Sequence, residues 1–241
     1  MKKSTFIALL FILLIGTIVS SVTIASAQKP PKLQTTSLSA PVNLKIDGET
    51  KEWGKLQAYN PINYIFYTIS NDDKNLYLVA YFTDKLAIKK IFRGGLTFSV
   101  FSPQKKAQSL AVTFPAIKTR ADEAKDVQVY NQIYLTGVPE TTDPFIPLDN
   151  TQGIRIGAKK ETGYTYELAI PIALLQATLG NIKGYKYNIK LNSNQIIESK
   201  KTQSSIPTVV VGEALGPLSG NDMFLFYNTD FTGEYTLALK P

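Results

Sequence analysis

The residue types that most often carry out catalysis are missing from this chain of 241 residues, which has no cysteine and no histidine. Nucleophile–base pairs with Cys or His, thiolate metal sites and the usual haem and zinc sites are therefore excluded. Ser102 and Lys105 have the Ser-x-x-Lys spacing, but Ser102-Pro103 is typical of a turn and the companion motifs of that enzyme class are missing. Because the acidic residues are scattered over predicted turns, we expect no catalysis, with a two-carboxylate glycosidase as the alternative.

One group of acidic residues suggests a metal site. Asp72, Asp73 and a neighbour such as Asp84 could bind calcium through carboxylate oxygens. Three carboxylates fall short of a defined calcium-loop motif, and the segment 71–75 is typical of a hairpin turn. We therefore expect no cofactor, with calcium as the alternative.

Strands are the elements that must position any site in this chain. From Val42 onward, short apolar runs with a period of two alternate with turn-forming clusters, and they predict an all-β sandwich, jelly-roll or immunoglobulin-like, of about nine or ten strands. The runs 62–69 and 76–83 predict one hairpin, and 154–159 and 164–170 predict another. The other predicted strands are 96–101, 109–114, 126–135, 185–192, 223–227 and 234–239, with a short one at 208–211. A short helix is the alternative for 126–135.

Two short helices and two long loops interrupt the strands. The run 86–92 has the spacing of one or two helical turns, and Pro171 should open a second helical turn. The segments 137–152 and 198–221 contain Gly and Pro and have no clear periodicity, so they predict long loops.

The first residues predict export. Lys2 and Lys3 precede an apolar run, 6–19, that is too short to span a bilayer comfortably, and residues 25–27, Ala-Ser-Ala, have the pattern that signal peptidase reads. We therefore expect a signal peptide over 1–27, no membrane span after its cleavage, and a secreted or periplasmic protein. An uncleaved membrane anchor is the alternative.

The mature chain is expected to be one basic domain. The segment 28–41 contains three prolines and a Thr/Ser cluster, which predict a flexible linker, and a single sandwich should occupy 42–241. Removal of Lys2 and Lys3 lowers the formal net charge from +7 to +5. That charge suits an anionic glycan or an outer-membrane surface, but the basic residues are scattered, so we expect no nucleic-acid partner.

Four short motifs occur in order along the predicted domain, at 46–53, 70–78, 164–171 and 222–226. Their order and spacing resemble the family 9 carbohydrate-binding modules and the wider DOMON-like sandwich group, over most of the domain. The resemblance implies a non-catalytic β-sandwich that binds a carbohydrate or another extracellular ligand.

Two residues of these motifs have a structural interpretation first. Trp53, the only tryptophan, follows an Asp-Gly turn and is expected to pack at the edge of the core. Glu167 alternates with Tyr166 and Leu168, so it faces away from their side, as a hydrogen-bond partner first and a ligand contact second.

The chain departs from the pattern of the sugar-binding relatives that it resembles. Those carry a Trp followed by acidic residues where this chain has Ile91–Gly95, and a second Trp near the last strand that this chain lacks. Haem-binding members use Met and His ligands, whereas this chain has no His and only Met223 after the expected cleavage.

Four residues are candidates for ligand binding. Phe92 and Arg93 occupy the position of the missing Trp motif, and Tyr130 and Tyr134 precede a long predicted loop. Core packing or an ordinary surface position is the alternative for all four. The first functional hypothesis is a glycan-binding module. The second is a structural or protein-interaction sandwich of the cell envelope, with no small ligand.

Overall fold

The computed structural model of the chain describes residues 29–102, 108–117, 130–139, 141–181, 183–193 and 222–238. The expected signal peptide and the predicted strand at 208–211 lie outside these residues, as does the first part of the predicted strand 126–135. Within the described part, eleven strands form two antiparallel sheets, which confirms the all-β sandwich.

The strands divide into a sheet of five and a sheet of six. In chain order they are β1 (Ala58–Asn60), β2 (Ile65–Asn71), β3 (Asn75–Phe82), β4 (Leu96–Phe101), β5 (Ser109–Phe114), β6 (Gln132–Thr136), β7 (Phe145–Pro147), β8 (Arg155–Lys160), β9 (Tyr164–Pro171), β10 (Gly184–Leu191) and β11 (Thr229–Thr236). The five-stranded sheet has the order β1-β2-β3-β9-β8, and the six-stranded sheet has the order β11-β10-β4-β5-β6-β7.

The main core lies between the two sheets. Because side chains alternate along a strand, Leu78 and Phe82 of β3 face inward together, as their spacing predicted. Tyr67 of β2 and Tyr187 of β10 meet from opposite sheets, and their hydroxyls form a hydrogen bond of 3.0 Å in the buried interior. Each sheet thus contributes one apolar face to a shared core.

Both predicted hairpins occur. The β2–β3 hairpin turns at Asp72, whose carboxylate accepts hydrogen bonds from the backbone N–H groups of Lys74 and Asn75 at 2.8 and 2.7 Å. The β8–β9 hairpin turns at Glu161–Gly163. Polar turn residues between two alternating runs therefore gave the right pairing.

Both predicted helical segments are longer than one or two turns. Helix α1 spans Lys85–Gly94, and its first turn is capped by Asp84, whose carboxylate accepts hydrogen bonds from Leu86 N and Ala87 N. Helix α2 spans Ile172–Leu179. In the part of the chain that the structure describes, neither helix has the length and apolar character needed to cross a membrane.

Three predicted segments differ from the structure. The run 223–227 is not a strand: a 3-10 helix spans Asp222–Leu225, and a short apolar run does not distinguish strand from helix by periodicity. The predicted loop 137–152 contains β7, which pairs with β6. The final strand spans Thr229–Thr236 rather than 234–239.

The folded unit begins earlier than expected. Gln34 is buried, its side-chain N–H₂ donates to the carbonyl of Ile69, and its side-chain oxygen accepts from the Ile69 N–H, both at 2.7 Å. The compact unit accordingly runs from Pro31 to Pro241, whereas the linker prediction put its start near Val42. Paired hydrogen bonds from one glutamine hold a proline-containing segment that composition alone assigned to a linker.

Candidate ligand-binding site

The outer face of the five-stranded sheet is partly covered by the segment before β1, and Glu167 holds this cover in place. Its carboxylate is fully buried and accepts hydrogen bonds from Asp47 N at 2.9 Å and Gly48 N at 2.6 Å through one oxygen. The other oxygen accepts from the indole N–H of Trp53 at 2.6 Å. The predicted role of Glu167 as a hydrogen-bond partner is confirmed.

Gly157 lets the covering segment reach this carboxylate. It lies directly opposite Glu167 in the β8–β9 pair. A Cβ on Gly157 would lie 2.6 Å from Gly48 N and 2.7 Å from Asp47 N, so the Asp-Gly turn could not approach a larger residue. Gly48 itself has a φ of +84°, which glycine adopts without a steric penalty.

Trp53 is part of a second, smaller core on this outer face. Its side chain is 8% exposed and packs edge-on against Tyr77, with ring centroids 6.4 Å apart. Val79 and Ala169 complete the buried cluster. The expected position of Trp53 at the core edge is confirmed, and its ring faces the protein interior.

Burial raises the pKa of the Glu167 carboxyl above its ordinary value, although the hydrogen bonds from Trp53, Gly48 and Asp47 act in the opposite direction. All three N–H groups can donate hydrogen bonds to an ionised carboxylate. None of them can accept a hydrogen bond from the hydroxyl of a protonated carboxyl group. The three hydrogen bonds therefore attach the segment before β1 to the five-stranded sheet.

The rest of the outer face carries a row of side chains across all five strands, of which only Thr165 is buried. The row consists of Tyr59, Phe66, Tyr81, Thr165 and Lys159, each paired with the next in register. Neighbouring strands are about 4.8 Å apart, so the row is roughly 19 Å long. We call these five residues the outer-face row.

Three of the five residues are half-buried aromatics, so part of each ring is accessible. The rings of Tyr59 and Phe66 pack together with centroids 4.5 Å apart. Tyr81 follows on the next strand, and its hydroxyl forms no hydrogen bond with any described residue. Gly163 makes room for this ring, because a Cβ there would lie 2.7 Å from the Tyr81 hydroxyl oxygen.

A cleft of about 250 Å³ opens at the Lys159 end of the row, where Tyr81, Thr165 and Lys159 all line it. We call it the Tyr81 cleft. Its walls come from the Asp-Gly turn region, from β3 and from the β8–β9 hairpin, and the lining residues are Gly48, Glu49, Thr50, Lys51, Tyr81, Lys159, Glu161, Thr162, Gly163 and Thr165. The cleft therefore combines one aromatic side chain with charged and hydroxyl groups.

The charged groups of the Tyr81 cleft form one network. Lys159 Nζ lies 2.8 Å from a Glu49 carboxylate oxygen and 2.9 Å from a Glu161 carboxylate oxygen, and Lys51 Nζ lies 2.5 Å from the other oxygen of Glu49. The hydrogen bonds from Lys159 and then Lys51 lower the pKa of Glu49 to about 2. The hydrogen bonds to Glu49 and Glu161 raise the pKa of Lys159. The two lysine and two glutamate side chains balance in formal charge.

Two of the four residues predicted for ligand binding meet at the edge of the core. The Tyr130 hydroxyl donates to the backbone carbonyl of Phe92 at 3.4 Å, and Tyr130 is buried against Phe114. The Phe92 ring packs edge-on against Tyr164, with centroids 5.4 Å apart. Packing accounts for both residues.

The other two predicted residues lie elsewhere. Arg93 is half-buried near the end of α1. Tyr134 alternates with the inward-facing Ile133 and Leu135, so it lies on the outer face of the six-stranded sheet, where its ring contacts Phe145 at a centroid distance of 4.9 Å. The four candidates therefore do not form one site.

Two of the three acidic residues considered for calcium have other roles. Asp72 holds the β2–β3 turn and accepts a hydrogen bond from the Tyr77 hydroxyl at 2.7 Å, and Asp84 caps α1. Among the described residues, no three acidic, His or Cys side chains are grouped so that they could hold a metal ion.

The outer-face row was missed by the sequence analysis. Phe66 and Tyr81 belong to predicted strands, and their parity places them opposite the core-facing residues, which was a usable signal. Nothing in the sequence indicated that they would share a row with Lys159, because strand order decides that.

Comparisons with known proteins do not assign a family. No protein-family model and no curated protein matches this chain. The geometry of the outer face therefore carries the functional argument.

Proposed function

We propose that this protein is an exported, non-catalytic module that binds a carbohydrate along the outer-face row and in the Tyr81 cleft. The observation that carries the proposal is the continuity of three accessible aromatic rings with a charged, hydroxyl-lined cleft. Aromatic faces provide apolar contact for sugar rings, and a few convergent polar groups fix orientation. The resemblance to family 9 carbohydrate-binding modules supports the same class of ligand.

The chemistry of the cleft favours binding over catalysis. Glu49 has a pKa of about 2, so it does not supply a proton at neutral pH as a glycosidase acid must. Glu161 is largely exposed and paired with Lys159. Ionised carboxylates and an ammonium group are suited to accept and donate hydrogen bonds to ligand hydroxyls.

A structural or interaction sandwich without a small ligand is the second candidate. It is favoured by the same ion-pair network, since Glu49, Lys51, Lys159 and Glu161 satisfy one another without any ligand. The two candidates differ in what the half-buried aromatic rings of the outer-face row contact.

Glycan-array screening of the chain from Gln28 onward, followed by calorimetry on any bound glycan, tests the proposal. Tyr81→Ala should weaken binding by about thirtyfold, since an aromatic hot spot contributes about 2 kcal/mol. Tyr134→Ala is the matched control, because Tyr134 is also half-buried on an outer face but belongs to the other sheet. The proposal is wrong if no glycan binds, or if Tyr134→Ala weakens binding as much as Tyr81→Ala does.

A further inference from the structure

A second surface, formed by the β1–β2 turn and the segment 222–227, is unusually apolar. The described residues include six large hydrophobic side chains that are exposed, and four of them occur in two short segments: Ile62 at 51%, Tyr64 at 41%, Met223 at 43% and Tyr227 at 60%. We call these four residues the apolar patch. Single exposed hydrophobic residues are ordinary, but a group of them marks an interaction site.

The two segments of the apolar patch are in contact. The Tyr64 ring packs edge-on against Phe224, with centroids 5.7 Å apart. The turn that carries Ile62 and Tyr64 is anchored at Asn63, whose side chain is buried and donates to the Ile189 carbonyl at 3.1 Å. The four exposed side chains therefore belong to one region.

The backbone of this turn is held in an uncommon conformation. Tyr64 has a φ of +52°, in the left-handed region that bulky residues rarely adopt. Glycine or asparagine would adopt this conformation at lower cost. Tyr64 is therefore an exposed aromatic residue at a backbone position where a bulky side chain is sterically unfavourable.

Basic side chains of α1 border the apolar patch. Lys90 Nζ lies 4.0 Å from the centroid of the Phe224 ring, so α1 packs beside the segment that carries Met223. Arg93 follows Lys90 by three residues and lies on the same side of the helix. Lys89 is exposed and lies one helical turn before Arg93. The helix contains no acidic residue, so α1 contributes only positive charge to this rim, whereas the segment that carries Met223 begins with Asp222.

We propose that the apolar patch, with Lys89 and Arg93 at its rim, docks the protein on an anionic phospholipid bilayer. Exposed aromatic and aliphatic side chains enter the interfacial region of a bilayer, while neighbouring Lys and Arg attract acidic headgroups. A second copy of the chain fits less well, because a two-fold interface would place two basic rims close together.

Sedimentation with phospholipid vesicles tests this docking surface, using the chain from Gln28 onward, which contains the whole compact unit. Wild type should bind vesicles of phosphatidylcholine with about one third phosphatidylglycerol, and should be released as salt is raised. The triple variant Ile62→Ser, Met223→Ser, Tyr227→Ser should lower the partition coefficient at least about tenfold. Its unfolding midpoint should stay near that of wild type, since all three side chains are exposed.

Charge variants separate specific docking from general attraction. Lys89→Glu with Arg93→Glu should weaken binding at least about tenfold. Lys45→Glu with Lys55→Glu changes the net charge equally at exposed positions outside α1, and should leave most of the binding intact.

Three results would overturn the proposal. The first is equal binding to vesicles of phosphatidylcholine alone. The second is an equal effect of the two charge pairs. The third is a wild-type protein that does not bind vesicles but forms a concentration-dependent dimer, measured by light scattering, which the triple variant does not form. That result would identify a second copy of the chain as the occupant of the apolar patch. None of these results depends on glycan binding.

Discussion

The hydrogen bond between Trp53 and Glu167 should make these two residues energetically coupled. Trp53→Phe removes the indole N–H that Glu167 accepts at 2.6 Å, and hydrogen bonds to charged groups contribute about 1.5–3 kcal/mol. Glu167→Gln keeps one acceptor oxygen but places an N–H₂ group against one of the three donors. A donor left unsatisfied in the interior costs about 1–3 kcal/mol.

The magnitude of the coupling follows from the geometry. If the Gln oxygen serves Asp47 and Gly48, its N–H₂ group faces the Trp53 indole N–H, and that conflict disappears when Trp53 is Phe. We therefore expect each single variant to lose about 2–3 kcal/mol and the double variant to lose about 1–2 kcal/mol less than their sum.

Urea unfolding followed by far-ultraviolet circular dichroism measures all four free energies of unfolding, and does not depend on tryptophan fluorescence. The matched control cycle pairs Trp53→Phe with Glu161→Gln, the same chemical change at an exposed carboxylate. The control should be additive within about 0.5 kcal/mol. Additivity of the test pair within the same margin would refute the anchoring role of Glu167.

Three further predictions concern the cleft and α1. Gly163→Ala should destabilise the fold by about 1–3 kcal/mol and weaken glycan binding, because the new Cβ would lie 2.5 Å from the Phe82 carbonyl oxygen. The control is Gly184→Ala, whose Cβ would have its nearest contact at 3.7 Å and should change neither stability nor binding. Equal effects of the two variants would contradict the prediction. The Glu49 carboxyl should titrate near pH 2 by NMR and move toward its ordinary value of 4.5 in Lys159→Ala, whereas an unchanged midpoint would exclude Lys159 as the cause. Burial lowers the pKa of Lys90 to about 8, so the unfolded chain binds more protons above that pH and stability should rise with pH from about 8 to 9.5. Lys90→Met should remove this part of the rise, and equal slopes for the two proteins in urea unfolding would argue against it.

Local signals in the sequence were sufficient for most of the fold. Alternation in the runs 62–69 and 76–83 gave a hairpin because one buried face imposes a period of two. The same reasoning failed for 223–227, where a short apolar run carries no periodicity that separates a strand from a 3-10 helix. It also failed for Gln34, since two hydrogen bonds with Ile69 hold a segment whose composition is that of a linker.

The candidate site was less accessible to sequence reasoning. Trp53 and Glu167 were recognised as structural from a turn motif and from strand parity. Phe92 and Tyr130 were chosen as ligand contacts because of their sequence positions, yet their rings pack against Tyr164 and Phe114 at the edge of the core.

The sequence by itself determined the class of fold, the two hairpins and the direction in which Glu167 points, because each depends on neighbours within a few residues. The tertiary structure alone decided that Tyr59, Phe66 and Tyr81 lie in one row with Lys159, since strand order and register set that row. It also brought Gly157 opposite Glu167, which allowed the turn at Gly48, 119 residues before Glu167 in the chain, to pack on the sheet. Contacts of this kind depend on which strands become neighbours, and no local pattern encodes that choice.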